Sequence, residues 1–313
     1  MNWDRTRVLV VGDVMLDRWI YTKKTRVSPE APIPIVEQQE YFAELGGAGN
    51  ALRHLNNLSS ASHYLIGVRG ADSSGSEMVA LEGLEVDQMN LMIDPLRRTT
   101  VKERFFVDGS PIFRRDIEDV SFLHHTMEIK ILEEVTRRIE NYEVLLLSDY
   151  AKGLLSESLI TSLMSLSRDK NKMVVSDPGL GRVAFFAGCD VIKPNAKEWH
   201  EFVDSRQDEH EALTWLFALG TKYVVVTHGK SGITCFSESN QVLVPPIEQV
   251  DAIDVTGAGD SVAATISLIL GSKENLVDFL DTLNQVGGLT VAQNRTSLPK
   301  IKGGLPNNNS VIL

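Results

Sequence analysis

Along this chain, short continuous apolar runs alternate with stretches of helical character. Residues 8–11, 64–68, 144–147, 173–175, 191–192 and 223–226 are runs of strand length. Residues 45–58, 127–141, 156–167, 196–203, 209–219, 259–270 and 276–293 read as helices. In the second of these helices the apolar positions fall at 127, 131, 132, 135 and 139, one face at the helical repeat. Uninterrupted apolar strands separated by helices predict an α/β fold, with a mostly parallel central sheet covered on both faces. Two segments break the rhythm. Residues 18–44 contain Pro29, Pro32 and Pro34 and little helical period. Residues 99–116 alternate polar and apolar positions, as in Val101-Lys102-Glu103-Arg104-Phe105, and turn at Asp108-Gly109. Both predict exposed antiparallel strands, a small second sheet beside the main one. The tail, 303–313, with Asn307-Asn308-Asn309, reads as a loosely held end.

Composition narrows the function. The 313 residues are 43% hydrophobic and 23% charged, enough to bury a large core without disulfides or a structural metal. Lys and Arg total 31 against 42 Asp and Glu, a formal charge of −11. That balance argues against a general nucleic-acid binder or a binder of anionic membranes, and leaves room for a local basic pocket. Cys189 and Cys235 are far apart and fit no metal or redox spacing, so they read as reduced thiols. The apolar run near the N-terminus is too short for a signal-peptide core, and no run approaches the roughly 18 residues of a membrane span. The expected location is cytoplasmic.

The chemistry concentrates in Asp254-Val255-Thr256-Gly257-Ala258-Gly259-Asp260-Ser261, followed directly by an apolar helical run. Two glycines let the backbone approach a ligand closely. A helix start leaves amide N–H groups unpaired, facing an anion such as a transferring phosphoryl group. Asp260 at the same start is placed to take a proton from a substrate hydroxyl. Alone, Gly-Ala-Gly-Asp is equally a turn with an acidic first helical turn. Two better-known phosphate motifs fail: the first glycine of a P-loop ending at Gly229-Lys230-Ser231 falls on Val224, and neither Gly47-Ala48-Gly49 nor Gly257-Ala258-Gly259 completes a dinucleotide fingerprint.

Supporting clusters sit where parallel strands end. Asp13 and Asp17 follow the first strand, suited to accept hydrogen bonds from ligand hydroxyls. Gly46, Gly47 and Asn50 open a second glycine-rich helix. Asn195-Ala196-Lys197-Glu198 opens another, in which Asn195 as N-cap and Glu198 three residues on also make a capping box. Lys102, Arg104, Arg114 and Arg115 give the alternating segment a basic character that suits a phosphate.

The Asp254–Asp260 string resembles the signature of the ribokinase-like (PfkB) carbohydrate kinases. The resemblance covers about residues 5–298 and implies a three-layer sandwich with a β-sheet lid, made here by about 14–44 and 97–117, within one domain over 1–313. It implies ATP and Mg²⁺ as co-substrate and cofactor, with Asp260 as general base and Gly257, Ala258 and Gly259 as anion hole. It places Asn195, Ala196, Lys197 and Glu198 at the nucleotide, with Glu198 ordering magnesium-bound water, one carboxylate being enough for that ion. Thr227, Gly229, Gly232 and Asn284 join them on the nucleotide side. Asp254 is a candidate monovalent-cation ligand, implying K⁺, although Arg295 stands where relatives carry a glycine. Within the family, Val27-Ser28-Pro29-Glu30-Ala31-Pro32-Ile33-Pro34 and Ser148-Asp149-Tyr150-Ala151-Lys152-Gly153 are similar to the kinases of D-glycero-β-D-manno-heptose 7-phosphate. That likeness adds Asp149, Lys102, Arg104 and Arg114 to the sugar-phosphate site and implies a homodimer through the lid. Those kinases usually read Asp-Pro-Lys-Gly where this chain has Asp177-Pro178-Gly179-Leu180. The alternatives are a kinase of another sugar or nucleoside, and a catalytically silent sugar or nucleotide sensor.

Overall fold

A computed structural model describes residues 3–81, 86–239, 241–245 and 257–292. Its strands are β1 (Val8–Gly12), β2 (Val14–Val27), β3 (Pro34–Gly47), β4 (Tyr64–Gly70), β5 (Met89–Asp94), β6 (Val101–Val107), β7 (Ser110–Ile117), β8 (Val144–Ser148), β9 (Met173–Asp177), β10 (Val191–Ile192), β11 (Tyr223–Thr227), β12 (Ile233–Ser237) and β13 (Gln241–Val244). Its helices are α1 (Ala48–Leu58), α2 (Ser73–Val79), α3 (His125–Arg138), α4 (Glu157–Asp169), α5 (Ala196–Asp204), α6 (Glu209–Ala218), α7 (Ala258–Gly271) and α8 (Leu280–Ala292).

Among the described residues, nine strands form one sheet in the order β13-β12-β11-β10-β9-β8-β1-β4-β5. The pairs from β11 through β5 are parallel, and β12 and β13 close one edge antiparallel. The central strands are apolar on both faces because both faces are covered. In β1, Val8 and Val10 pack with α1, α7 and α8, while Leu9 and Val11 pack with α3 to α6. The same alternation sends Val144 and Leu146 of β8 to one layer, Leu145 and Leu147 to the other. The result is a three-layer α/β sandwich. Beyond β1 the chain first builds toward β4 and β5, then returns to lay β8 on the other side, so a crevice opens at the C-terminal ends of β1 and β8.

The two segments that break the helical rhythm form a second sheet of four strands, ordered β3-β2-β6-β7. Its hairpins are antiparallel, as the alternation predicts, but β2 and β6 join in parallel, with Asp17 opposite Lys102 and Trp19 opposite Arg104. That pairing corrects the expectation of a wholly antiparallel sheet. Two hairpins from distant segments meet side by side, and their inner strands happen to run the same way. The helix expected over 45–58 begins only at Ala48, because residues 45–47 complete β3. The one expected over 276–293 is a 3-10 turn (Leu276–Phe279) followed by α8. Strands β5, β12 and β13 and the short α2 lack a pattern strong enough to read: β13 is a four-residue edge strand, and α2 is Ser73-Ser74-Gly75-Ser76-Glu77-Met78-Val79. Both cysteines are buried and unbridged, and no helix among the described residues is long and apolar enough to cross a membrane.

Candidate active site

Helix α7 begins where its sequence dictates. Gly257 is its N-cap, in the left-handed region at φ 83°, with no side-chain cap. A side chain there would be strained by the backbone and would also press on Asn50, whose Nδ2 lies 2.4 Å from the Cβ position. The first helical bond runs from Ser261 N–H to the Gly257 carbonyl at 3.0 Å, so the amides of residues 258–260 have no partner within the helix. Lys193 brings an ammonium to this end: its Nζ is 3.2 Å from the Cβ position of Gly259 and 2.9 Å from Asp177 Oδ1. Burial works against the Lys193 charge, but Asp177, Glu198 and Asp260 outweigh it and hold its pKa above the ordinary value.

Asp260 is buried in the first turn. Asn50 Nδ2 donates to its Oδ2 at 2.7 Å, and the Tyr150 hydroxyl donates to its Oδ1. The orientation of the Asn50 amide is itself fixed, because Arg53 donates to Asn50 Oδ1 at 3.0 Å and pairs with Glu44 at 3.0 Å. Burial, then the charge of Asp177, pushes the Asp260 carboxyl up to about 7, against the pull of the Tyr150 and Asn50 donors and of Lys193. A carboxyl that titrates near neutrality is suited to trade a proton with a hydroxyl.

In front of Asp260 lies a cavity of about 200 Å³ whose wall includes Asp17, Gly46, Gly47, Asn50, Lys102, Arg104, Tyr150 and Gly257. The lid sheet thus supplies one wall and the two glycine-rich helix entries another. Gly46 is required by closeness, since its Cβ position is 1.9 Å from Asp17 Oδ2. Arg104 donates to Asp17 Oδ1 at 2.7 Å and lies over the Trp19 ring. Burial lowers the Lys102 pKa, partly offset by Asp17. Both cations therefore face the cavity from β6.

Three residues expected at the sugar have partners within the chain. Asp13 accepts the backbone N–H groups of Tyr150, Lys152 and Leu154 at 2.9–3.0 Å, so its carboxylate shapes the turn after β8. Asp149 pairs with buried Arg182 and accepts the Ala151 N–H at 2.8 Å. Burial, then Asp13, raises the Asp149 carboxyl to about 6. Arg114 is half exposed and forks onto Asp116 through two 2.7 Å bonds, and its charge still acts on Lys102 and Asp17 of the cavity wall. For Asp13 and Asp149 the motif fixes which residues are near the site, while the partner of each side chain depends on loops from other strands.

On the other side of α7, Asn195 and Glu198 form the capping box, with Glu198 N–H to Asn195 Oδ1 at 3.0 Å and Asn195 N–H to Glu198 Oε2 at 2.7 Å. Burial, then Asp177, raises the Glu198 carboxyl to about 7. An isolated β-bridge pairs Asn195 with Thr227, bringing the turn at Gly229–Ser231 beside the start of α5, where Ala196 and Lys197 lie. Gly229 and Gly232 both take positive φ in that turn. Asn284 donates to the Pro245 carbonyl at 2.6 Å, tying α8 to the end of β13. Asp254 and Arg295 lie outside the described residues. Tyr150, Asp177 and Lys193 carry no role in the sequence patterns, although Tyr150 and Asp177 stand within the quoted strings. Tyr150 and Lys193 follow the ends of parallel strands and Asp177 ends one, and that position is the available signal.

A buried carboxyl pushed up to about 7, open helix amides beside an ammonium, and a cavity roofed by a separate β-sheet lie together on a ribokinase-like fold. The sequence matches the pfkB family carbohydrate kinase pattern over residues 5–302. It is 34% identical over 300 residues to the bifunctional protein HldE of Paramagnetospirillum magneticum, covering 94% of this chain and 61% of that protein. The chain thus spans about three fifths of the length of the curated relatives it matches. Among solved structures, a carbohydrate kinase from Agrobacterium tumefaciens superposes with TM-score 0.70 at 23% identity, covering 93% of this chain and 92% of that one. Phosphofructokinase-2 from Escherichia coli, solved in complex with potassium, superposes with TM-score 0.71 at 21% identity over 94% of each chain. At those identities the likeness speaks for the fold. The chain belongs to the pfkB family of carbohydrate kinases, phosphotransferases with an alcohol group as acceptor.

Proposed function

We propose that this chain, acting as one kinase domain with its lid, transfers the terminal phosphoryl group of ATP to the anomeric hydroxyl of D-glycero-β-D-manno-heptose 7-phosphate. The observation that carries the reading is Asp260, buried and doubly hydrogen-bonded in front of a cavity that also presents Lys102 and Arg104. Two cations on the sugar side suit an acceptor that already bears a phosphate. Asp260 accepts the proton of the attacking hydroxyl as its oxygen bonds to the terminal phosphorus. The bond from that phosphorus to the bridging oxygen breaks, and ADP leaves. The amides of residues 258–260 and Lys193 face the charge on the transferring group. Closure of the lid excludes water, so that ATP is not hydrolysed in its place.

The residues present fit a magnesium ion held through water. Glu198 spends one oxygen, Oε2, on the capping box and has the other left for a hydrated cation. One carboxylate with several retained waters is the usual manner of holding this ion. When bound, Mg²⁺ neutralises phosphate oxygens. The site for K⁺ rests on Asp254. Exposed Val27, Ile33, Ile112 and Phe113 on the lid support a homodimer through that sheet, and the reading places the enzyme in the cytoplasm. Neither a nucleic acid nor a membrane is a partner in this reading.

The test is a transfer assay with ATP and a panel of sugars, nucleosides, sugar phosphates and synthetic heptose 7-phosphates, with product regiochemistry read by phosphorus NMR. Heptose 7-phosphate must give the highest kcat/KM, with the new phosphate on O1. A better non-phosphorylated acceptor overturns the substrate.

A further inference from the structure

Tyr150 reaches the general base from the opposite side to Asn50. Its hydroxyl donates to Asp260 Oδ1, while Asn50 Nδ2 donates to Oδ2 at 2.7 Å, so each carboxylate oxygen has its own donor. The tyrosine is itself tightly placed. Its backbone N–H donates to Asp13 Oδ2 at 2.9 Å, and the amides of Lys152 and Leu154 bind the same carboxylate. Asp149, just before it, is locked to Arg182. Its ring forms part of the cavity wall, with Lys102 Nζ 5.8 Å from the ring centroid. A carboxylate turns easily about its last torsion, which has no sharp minima. Two donors from two elements, α1 and the turn after β8, remove that freedom.

Resting on the reading of Asp260 as general base, we propose that Tyr150 is a positioning residue for phosphoryl transfer: its hydroxyl fixes the plane of the Asp260 carboxylate so that a remaining lone pair faces the acceptor hydroxyl. An ionised carboxylate has about four acceptor sites, so two donors leave room for the substrate. The same bond favours the ionised form of Asp260, opposing the burial that disfavours it. The other groups facing Asp260 are Asp177 of β9 and Lys193 after β10, with Asp17, Lys102 and Arg104 of the lid across the shared cavity, while His54 of α1, which burial keeps neutral, lies beside Gly257. Tyr150→Phe leaves all of these in place and removes one hydroxyl.

The experiment is the pH profile of kcat/KM for wild type and Tyr150→Phe, with the same acceptor and ATP. Loss of a donor to the ionised carboxylate raises the pKa of the base in the free enzyme. The acidic limb therefore moves to higher pH by roughly 1–2 units, the effect of a hydrogen bond to a charged group. A tyrosine that merely packs the wall lowers the whole profile and leaves the limb where it was; that result overturns the proposal. Should the phenylalanine variant misfold, 3-fluorotyrosine at position 150 decides the matter, since its more acidic hydroxyl is a stronger donor and must move the limb to lower pH. The two readings fail separately. An active Asp260→Asn enzyme removes the base, whereas an inactive one combined with an unmoved limb removes Tyr150 alone.

Discussion

Asn50 and Asp260, 210 positions apart, meet in a 2.7 Å hydrogen bond that ties the first turn of α1 to the first turn of α7. Both helices pack on the same face of the central sheet, so their N-termini open side by side at the crevice. The Glu44–Arg53–Asn50 chain then aims the amide nitrogen at the base.

Replacing Asp260 by Asn keeps the shape and removes the base. The expected kcat falls by roughly 10²–10⁴ with little change in KM. The variant also separates function from stability. Asp260 titrates at about 7 in the folded protein against 3.8 as a free group, so between those values the folded state binds a proton that the unfolded state lacks. Its cost to stability therefore appears as pH rises above 4 and is complete near 7. Asp260→Asn should melt at least roughly 2 °C above wild type at pH 8, with the gain shrinking toward pH 4.5. Calorimetry at the two pH values checks this; an equal gain at both contradicts it.

Gly257→Ala puts a methyl group on a left-handed residue and into Asn50. The strain costs about 1–2 kcal/mol, and Asn50 is pushed off the base. The expected outcome is a loss of at least about tenfold in kcat with unchanged far-ultraviolet circular dichroism. Near-normal kcat would mean the cradle tolerates a side chain.

Arg182→Met leaves Asp149 buried beside Asp13 without its cation. Breaking a buried pair costs about 3–5 kcal/mol. Because the Asp149 carboxyl already sits at about 6, raised by burial and then by Asp13, losing the arginine raises it further. Protonation then relieves the deficit as pH falls. Urea unfolding should show a larger deficit at pH 8 than at pH 5.

Lys102→Met tests the sugar-phosphate wall. The KM for a phosphorylated acceptor should rise about tenfold or more, the size of a charge-assisted hydrogen bond, while the KM for ATP stays the same. An equal rise for an unphosphorylated sugar would assign Lys102 to the lid rather than to the phosphate.

Much of this architecture can be read in advance. Buried strands such as Val144-Leu145-Leu146-Leu147 announce a sheet covered on both sides, and Asp254–Asp260 announces a helix start built for an anion. What stays hidden is the partner of each polar side chain. Asp13 and Asp149 carry the same charge and lie at strand ends, as a sugar ligand should, yet their oxygens go to backbone amides and to Arg182. Lys193 gives no sign in sequence that it crosses to Gly259, because that approach depends on the spacing between β10 and α7. Strand direction in the lid is equally invisible: alternation specifies faces, and β2 with β6 could pair either way.

The parallel join of β2 to β6 also bears on the order in which the protein is made. The β2–β3 hairpin leaves the ribosome well before residues 101–107, so for a time it carries an open strand edge with Trp19 and Ile20 on it. Such an edge invites pairing with another chain. Slowing translation between residues 47 and 101 should raise the share of insoluble product, and charged substitutions at the edge positions of β2 should lower it.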